Sequence, residues 1–249
     1  LLGQASLLPA DSANRSVRFD GINDYVAIPS SSSLSPASKV SVEAWIKPNA
    51  LPGAGNFASV ASKPESYSLQ FNGPKIEFTI IQSGARRRLQ APAGAIAVGQ
   101  AYHVLGTYDG TTQRLYVNGA EVVSTPLTGG IAANSNALNI ASWNGGSEPF
   151  NGTIDDLAVY TNALSAARVK AHYEAGTSTS KTIAALSSAL PSSRLVRSVS
   201  TSSGSYSIAS PPTFVDYCHL PSPGAGSDGA GAGNDVLALT ETSWPRRQT

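Results

Sequence analysis

Short runs of alternating apolar and polar residues, each ending at a turn signal, constrain the fold of this chain more than any other feature. Residues 40–46 alternate with period two and are followed by Lys47-Pro48, where proline cannot donate to a sheet ladder. Residues 114–117 lead into Asn118-Gly119, which suits a type I′ hairpin turn because both central residues need positive φ. Roughly ten to twelve such runs precede residue 160, and no helical pattern alternates with them. The sequence therefore predicts an antiparallel β-sandwich.

One short helix is predicted after the strands. Ser165 is a good N-cap, and residues 166–174 are mostly sound helix formers. Val169 and Tyr173 fall on one face, and Gly176 stands where a C-terminal cap belongs. We expect two turns of helix packed against the edge of the sandwich.

The same patterns divide the chain into three parts. Residues 1–12 form a leader into the first strand, and residues 13–176 form the sandwich domain. Residues 177–249 are dominated by Ser, Ala, Gly and Pro, a composition typical of flexible sequence, and their loss of periodicity also fits a non-native segment. The chain contains no methionine and begins at Leu1, so we expect a fragment or a processed product.

Composition argues against several classes of partner. Charged residues make up 13% of the chain and the formal net charge is +1, which is too little field to hold nucleic acid or an anionic membrane. No apolar run approaches the roughly 18 residues of a membrane span. The single cysteine, Cys218, cannot form an internal disulfide, and no Cys/His cluster has zinc spacing. We therefore expect no nucleic-acid partner and no membrane span.

Five sequence blocks, taken in order, resemble those of a known family. They are residues 19–26 (FDGINDYV), 42–48 (VEAWIKP), 106–110 (GTYDG), 115–119 (LYVNG) and 150–160 (FNGTIDDLAVY). This set resembles the LamG-like jellyroll domains of the concanavalin A-like lectin/glucanase superfamily. With the predicted helix and tail, the expected fold class is an all-β, antiparallel two-sheet jellyroll sandwich with one short C-terminal helix, followed by a low-complexity tail.

The resemblance also implies, as in many family members, a calcium ion near the paired first and last strands. Asp20 matches the first-strand acidic position and Asp155 the last-strand one, while Asn23, Asp24 and Asp156 could add oxygen ligands. Such a set suits Ca²⁺, which takes about six to eight hard oxygen ligands. The alternative is that Asp20 and Asp24 shape the Asp-Gly and Asn-Asp turns while Asp155 accepts local hydrogen bonds.

Two segments are candidates for glycan binding, the function that lectin-like members of this family suggest. Trp143, Asn144 and Glu148 lie in a Gly-rich loop that could present an indole to the C–H face of a sugar. The alternative is a Trp folded back onto the sandwich. Arg87 lies at the centre of a run of three arginines that could engage a sulfated or uronic polysaccharide through bidentate contacts. The alternative is a solvated strand edge that blocks aggregation.

No catalytic motif stands out in the sequence. Glucanases of the superfamily carry a Glu-x-Asp-x-x-Glu strand, and nothing here has that spacing. Asp155 and Asp156 are neighbours, so on a regular strand they point to opposite faces, while Glu43 and Glu77 each stand alone. We therefore predict a non-catalytic carbohydrate-binding or adhesion module of a secreted protein, either a monomer or part of a larger chain. A glycan-active enzyme (a hydrolase or lyase) and a purely structural spacer remain the alternatives.

Overall fold

The computed structural model describes residues 2–178 and 237–239. These residues form fourteen strands, one 3₁₀ turn at Ser32–Leu34 and one α-helix. The elements are β1 (Gln4–Ala5), β2 (Arg15–Asp20), β3 (Val26–Ile28), β4 (Val40–Pro48), β5 (Phe57–Lys63), β6 (Tyr67–Asn72), β7 (Lys75–Gln82), β8 (Ala85–Gln90), β9 (Tyr102–Tyr108), β10 (Thr112–Val117), β11 (Ala120–Pro126), β12 (Leu138–Ile140), β13 (Asn151–Tyr160), α1 (Ala166–Thr177) and β14 (Leu237–Leu239).

The strands form two sheets in which every pairing is antiparallel. One sheet has the order β1-β2-β13-β4-β9-β10-β11, and β14 pairs with β13 beside this path. The other sheet has the order β3-β12-β5-β6-β7-β8. We call them the seven-stranded and the six-stranded sheet. The predicted two-sheet antiparallel jellyroll is confirmed.

Period-two alternation places one face of each sheet in the core. On β6, the core residues Tyr67, Leu69 and Phe71 alternate with Ser68 and Gln70. Burial of each large apolar side chain stabilises the fold by about 1.5–3 kcal/mol. The remaining side chains of β6 therefore lie on the outer face of the six-stranded sheet, where the candidate site is built.

The predicted hairpin turn and helix start are both present. Asn118 and Gly119 have φ values of 52° and 76°, and β10 pairs with β11 on either side of them. The Ser165 side chain accepts a hydrogen bond from the backbone N–H of Arg168 at 3.3 Å, as an N-cap should. Val169 is buried against the outer face of the seven-stranded sheet.

The predicted end of the helix is wrong. Helix α1 has 12 residues, about three turns instead of two, and Ser178 occupies its C-cap. Gly176 lies inside the last turn and is buried, and an added Cβ there would lie 2.5 Å from Cζ2 of Trp45. Glycine is therefore required at this position for close packing of the helix on the sheet.

Part of the segment predicted as a leader is ordered against the sandwich. Strand β1 pairs with β2, and the backbone N–H of Ala10 donates to the carbonyl of Gly176 at 3.1 Å. The predicted Ser/Ala/Gly/Pro-rich tail, residues 177–249, lies outside the described residues apart from 177, 178 and 237–239. None of the helical structure within the described residues is long and apolar enough to cross a membrane.

Candidate functional site

A tight loop between β12 and β13 holds Trp143 at the outer face of the six-stranded sheet. The backbone N–H of Trp143 donates to the carbonyl of Ser147 at 2.8 Å, and Gly146 N–H donates to the Ser142 hydroxyl at 2.8 Å. Glu148, at the end of this turn, has a φ of 52°, which a non-glycine residue adopts only when its surroundings hold it there. The indole is therefore held by a closed, hydrogen-bonded loop and is partly exposed.

Two arginine–aromatic pairs lie on this face. Arg86 and Arg88 are two positions apart on β8, so their side chains share one side of the strand. The Arg86 guanidinium carbon lies 4.4 Å from the ring centroid of Trp143, and that of Arg88 lies 4.9 Å from the centroid of Phe57. Such cation–π contacts hold both the rings and the guanidinium groups in place.

The centre of the face is a buried carboxylate, Glu77. It accepts hydrogen bonds from the side-chain amides of Gln70 at 2.8 Å, Asn72 at 3.1 Å and Gln90 at 2.9 Å. The Thr79 hydroxyl adds a fourth bond at 3.2 Å. All these side chains stand opposite one another in the register of β6, β7 and β8 or alternate along a strand, so they form one continuous polar surface.

Glu148 joins the loop to this polar surface. Its carboxylate accepts from the Ser59 hydroxyl at 3.1 Å, and its carbonyl accepts from the Ser59 backbone N–H at 2.9 Å. Partial burial raises the pKa of Glu148, which the Ser59 hydrogen bond and the nearby positive charges of Arg86 and Arg88 oppose. The negative charge of Glu77 also raises the pKa of Glu148. We call the outer face of the six-stranded sheet around Phe57, Glu77, Arg86, Arg88, Trp143 and Glu148 the Trp143 face.

The structure brings three of the four predicted glycan-site residues to this face or its loop. Trp143, Asn144 and Glu148 belong to one loop, in which Asn144 is exposed. Arg87 lies on the opposite side of β8, in register with the core residue Ile80. Sequence reasoning missed Phe57 and Glu77 as site residues. It marked the run of three arginines but chose Arg87 from it, although strict alternation along β8 would have separated Arg87 from its two neighbours.

The predicted calcium ligands fall into two separated pairs. Strands β2 and β13 do pair, but with Asn151 opposite Asp20. Asp155 lies four residues further along β13, which corresponds to about 13 Å of strand. Asp20 accepts from Ile22 N–H at 2.8 Å, a bond that lowers its pKa, and Asp24 accepts from Asp20 N–H at 3.4 Å. One ion therefore cannot contact all four predicted residues.

The second pair is bonded to the N-terminal segment. Asp155 accepts from the Ser6 hydroxyl at 3.0 Å and from Leu7 N–H at 2.8 Å, and Asp156 accepts from the Asn14 amide at 2.9 Å. Burial raises the pKa of both carboxyls, that of Asp156 to about 6. These donors occupy lone pairs that a calcium ion would need. Bonded in this way, the carboxyls of Asp155 and Asp156 do not fit a calcium site. Calcium binding by this domain stays a prediction.

The expectation that Asp155 and Asp156 point to opposite faces is wrong. The register with β4 shifts at this point, and Asp156 has a φ of 42°. The bulge lets the Asn14 amide reach both carboxyls, at 3.5 and 2.9 Å. Within the part of the chain that the structure describes, no group of three or more His, Cys, Asp or Glu residues is arranged to hold a metal ion.

Asp155→Ala is expected to lower the free energy of unfolding by about 1–3 kcal/mol, because Ser6 and Leu7 lose a part-buried acceptor. The loss should be the same in calcium and in chelator. Thermal melts of the full chain and the variant in both buffers measure it. A wild-type melting temperature that rises with calcium, and no longer rises in the variant, would instead establish a cation at this carboxylate.

A second polar cluster lies under α1 on the other sheet. Glu43 accepts from the Tyr160 hydroxyl at 2.9 Å, and its carboxylate lies 2.7 Å from Nε2 of His103 and 3.0 Å from Nδ1 of His172. Burial alone would raise the pKa of Glu43, but the two imidazoles overcome this and lower it to about 2. Glu43 and Glu77 lie on different sheets, so they cannot work as one pair of catalytic carboxylates.

Comparison with known proteins agrees with this architecture. The sequence model of the Laminin_G_3 family, of the concanavalin A-like lectin/glucanases superfamily, matches residues 20–170. The chain belongs to this family. The matched range begins at the end of β2 and reaches into α1, so it includes the Trp143 face of this Laminin_G_3 domain. No curated protein matches the sequence significantly.

Solved structures similar to this Laminin_G_3 domain include the binding domain of Paraclostridial Mosquitocidal Protein 1, with 14% identity and a TM-score of 0.54 over 64% of this chain and 43% of that one. The heptameric SAP-like pentraxin of Limulus polyphemus has 17% identity and a TM-score of 0.50 over 71% and 87%. The CBM40 of Ruminococcus gnavus IT-sialidase, solved with α2,3-sialyllactose, has 14% identity and a TM-score of 0.47 over 61% and 100%. This chain therefore spans less than half of the first structure. Likeness at these identities shows the fold alone.

Proposed function

We propose that this Laminin_G_3 domain is a non-catalytic glycan-binding module and that the Trp143 face is its site. The observation that carries the proposal is the Trp143 ring, held by Arg86 at 4.4 Å beside the polar surface around Glu77. A sugar presents an apolar C–H face and a rim of hydroxyls. A fixed aromatic ring next to preorganised hydrogen-bonding groups matches both.

The family and the electrostatics support this choice over the alternatives. The superfamily is named for lectins and glucanases, although a fold by itself does not assign function. On the Trp143 face, Glu77 already accepts four hydrogen bonds from protein groups, which leaves it poorly placed for proton transfer. Binding therefore fits this carboxylate better than catalysis does. The proposal includes secretion, because polysaccharides and glycoconjugates are mostly met outside the cell.

The test is a glycan array probed with the full chain. We expect binding to at least one glycan class, and we expect Arg87→Ala to bind as the parent does because that side chain lies on the opposite side of β8. A folded protein that is silent on every glycan would contradict the proposal and favour the spacer. Release of reducing ends or unsaturated products from a bound polysaccharide would favour the enzyme.

A further inference from the structure

The arginines of the Trp143 face are already paired with carboxylates. Arg86 forms an ion pair of 2.9 Å with Glu65, and Nε of Arg88 lies 3.8 Å from Oε1 of Glu77. The two arginine side chains are only about one third exposed, at 34% and 35%. A sulfate or uronate that engaged either guanidinium would have to replace a carboxylate that is already in place. The arginines therefore offer little unpaired positive charge to an anionic ligand.

The whole face is also balanced in charge. Lys75 shares the outer side of β7 with Glu77, since the two are separated by one residue. The face therefore carries three positive groups, Lys75, Arg86 and Arg88, and three carboxylates, those of Glu65, Glu77 and Glu148. A balanced face has no net field to attract an anionic glycan, and Glu148 would repel an anion placed against Trp143.

The amide side chains of this face have a defined orientation. The Glu77 carboxylate accepts from the NH₂ groups of Asn72 and Gln90, so their carbonyl oxygens must point the other way. Both side chains are partly exposed. Among the described residues, the bonds that they donate to Glu77 are the only hydrogen bonds that the Asn72 and Gln90 side chains form. These two oxygens are neutral acceptors available to a ligand that can donate.

We propose that the Trp143 face selects uncharged sugars, whose hydroxyls donate to the side-chain carbonyl oxygens of Asn72 and Gln90, and rejects sulfated and uronic ones. This inference rests on the proposed function above. A sugar hydroxyl both donates and accepts, whereas a sulfate or carboxylate group can only accept. Acceptors beside carboxylates therefore discriminate against sulfated and uronic sugars, because the anionic group finds no hydrogen-bond donor there.

The experiment compares two groups of probes on the immobilised full chain. Neutral probes are cello-, arabino- and galacto-oligosaccharides, and acidic probes are heparin and polygalacturonate. We expect binding to a neutral probe, with a Kd that changes less than about twofold between low and high NaCl because no net charge is neutralised. Asn72→Ala and Gln90→Ala should each weaken this binding about five- to tenfold, the loss of roughly one hydrogen bond, and Arg87→Ala should leave it unchanged.

Two results would overturn the inference, and they are distinguishable. Binding to heparin or polygalacturonate alone, weakened by salt, would show an anion site and leave the proposed glycan-binding function standing. No binding to any probe by a folded chain would remove the proposed function and this inference with it. Circular dichroism and a thermal melt of each variant confirm that the fold is intact. If Gln90→Ala does not fold, Gln90→Leu keeps the side-chain volume and removes the acceptor.

Discussion

Trp143→Ala is expected to lower the affinity for a bound glycan by about 30-fold or more, the equivalent of about 2 kcal/mol for an aromatic residue at the centre of a site. The ring is partly exposed and held over the face by Arg86, so its loss removes the stacking surface without opening the core. The free energy of unfolding should change by less than about 1 kcal/mol. Isothermal titration with the best array ligand, together with a urea melt, measures both quantities.

Three further variants make this result specific. Trp143→Phe keeps an aromatic face and should retain part of the affinity, whereas Arg87→Ala should retain all of it. Arg86→Ala removes the cation over the ring, and we expect an intermediate loss because the indole is then less firmly positioned. Unchanged binding in Trp143→Ala would place the glycan site elsewhere on the molecule.

Glu43→Gln is expected to lower the free energy of unfolding by about 1–3 kcal/mol, because it removes the buried carboxylate that accepts from Tyr160 and contacts two imidazoles. The substitution keeps the side-chain volume but removes the charge that faces His103 on the sheet and His172 on α1. Because His172 belongs to the helix, we expect α1 to lose much of its hold on the seven-stranded sheet. Urea unfolding at pH 7 measures the loss.

The control for this variant lies on the same helix. Glu174 pairs with Lys170 on the solvent side of α1, where both side chains are more than half exposed. Glu174→Gln should therefore change stability by less than about 0.5 kcal/mol. If Glu43→Gln were no more destabilised than Glu174→Gln, the buried cluster would have no part in holding the helix.

The same cluster predicts how stability depends on pH. The pKa of Glu43 in the folded chain is about 2, below its ordinary value of 4.5. A lowered carboxyl pKa means that the ionised form is favoured by folding, so its contribution is complete above about pH 4.5 and is lost as pH falls through about 2. Urea melts between pH 2 and 7 should show the free energy of unfolding of the parent falling below about pH 4.5. The decrease should be smaller in Glu43→Gln.

Local signals predicted the strand and turn framework correctly. The alternation along β4, the Asn118-Gly119 turn and the Ser165 cap each depend on residues within one turn or strand, and each is present. Gly176 was misplaced for the opposite reason. A glycine is needed at this position because the helix packs closely against Trp45, which lies more than a hundred positions earlier in the sequence. No local rule for helix ends contains that information.

The candidate site could be predicted only in part. The Gly-rich composition around Trp143 marked the loop, but its partners Arg86 and Glu77 come from strands of a distant hairpin. The sequence also gave no sign of the bulge at Asp156. A single extra residue in β13 re-aims both carboxyls of that strand, and such an irregularity depends on packing against β4 and the N-terminal segment.

The sequence by itself determined which segments are strands, where the hairpin turns lie and where the helix begins, because backbone geometry imposes periods and turn preferences on neighbouring residues. Tertiary structure alone decided which outer face the helix covers and which carries the proposed glycan site. Helix α1 covers Glu43 on one sheet, while the Trp143 loop and two arginines meet around Glu77 on the other. Those contacts depend on strand order and register across the whole sandwich, which local patterns do not encode.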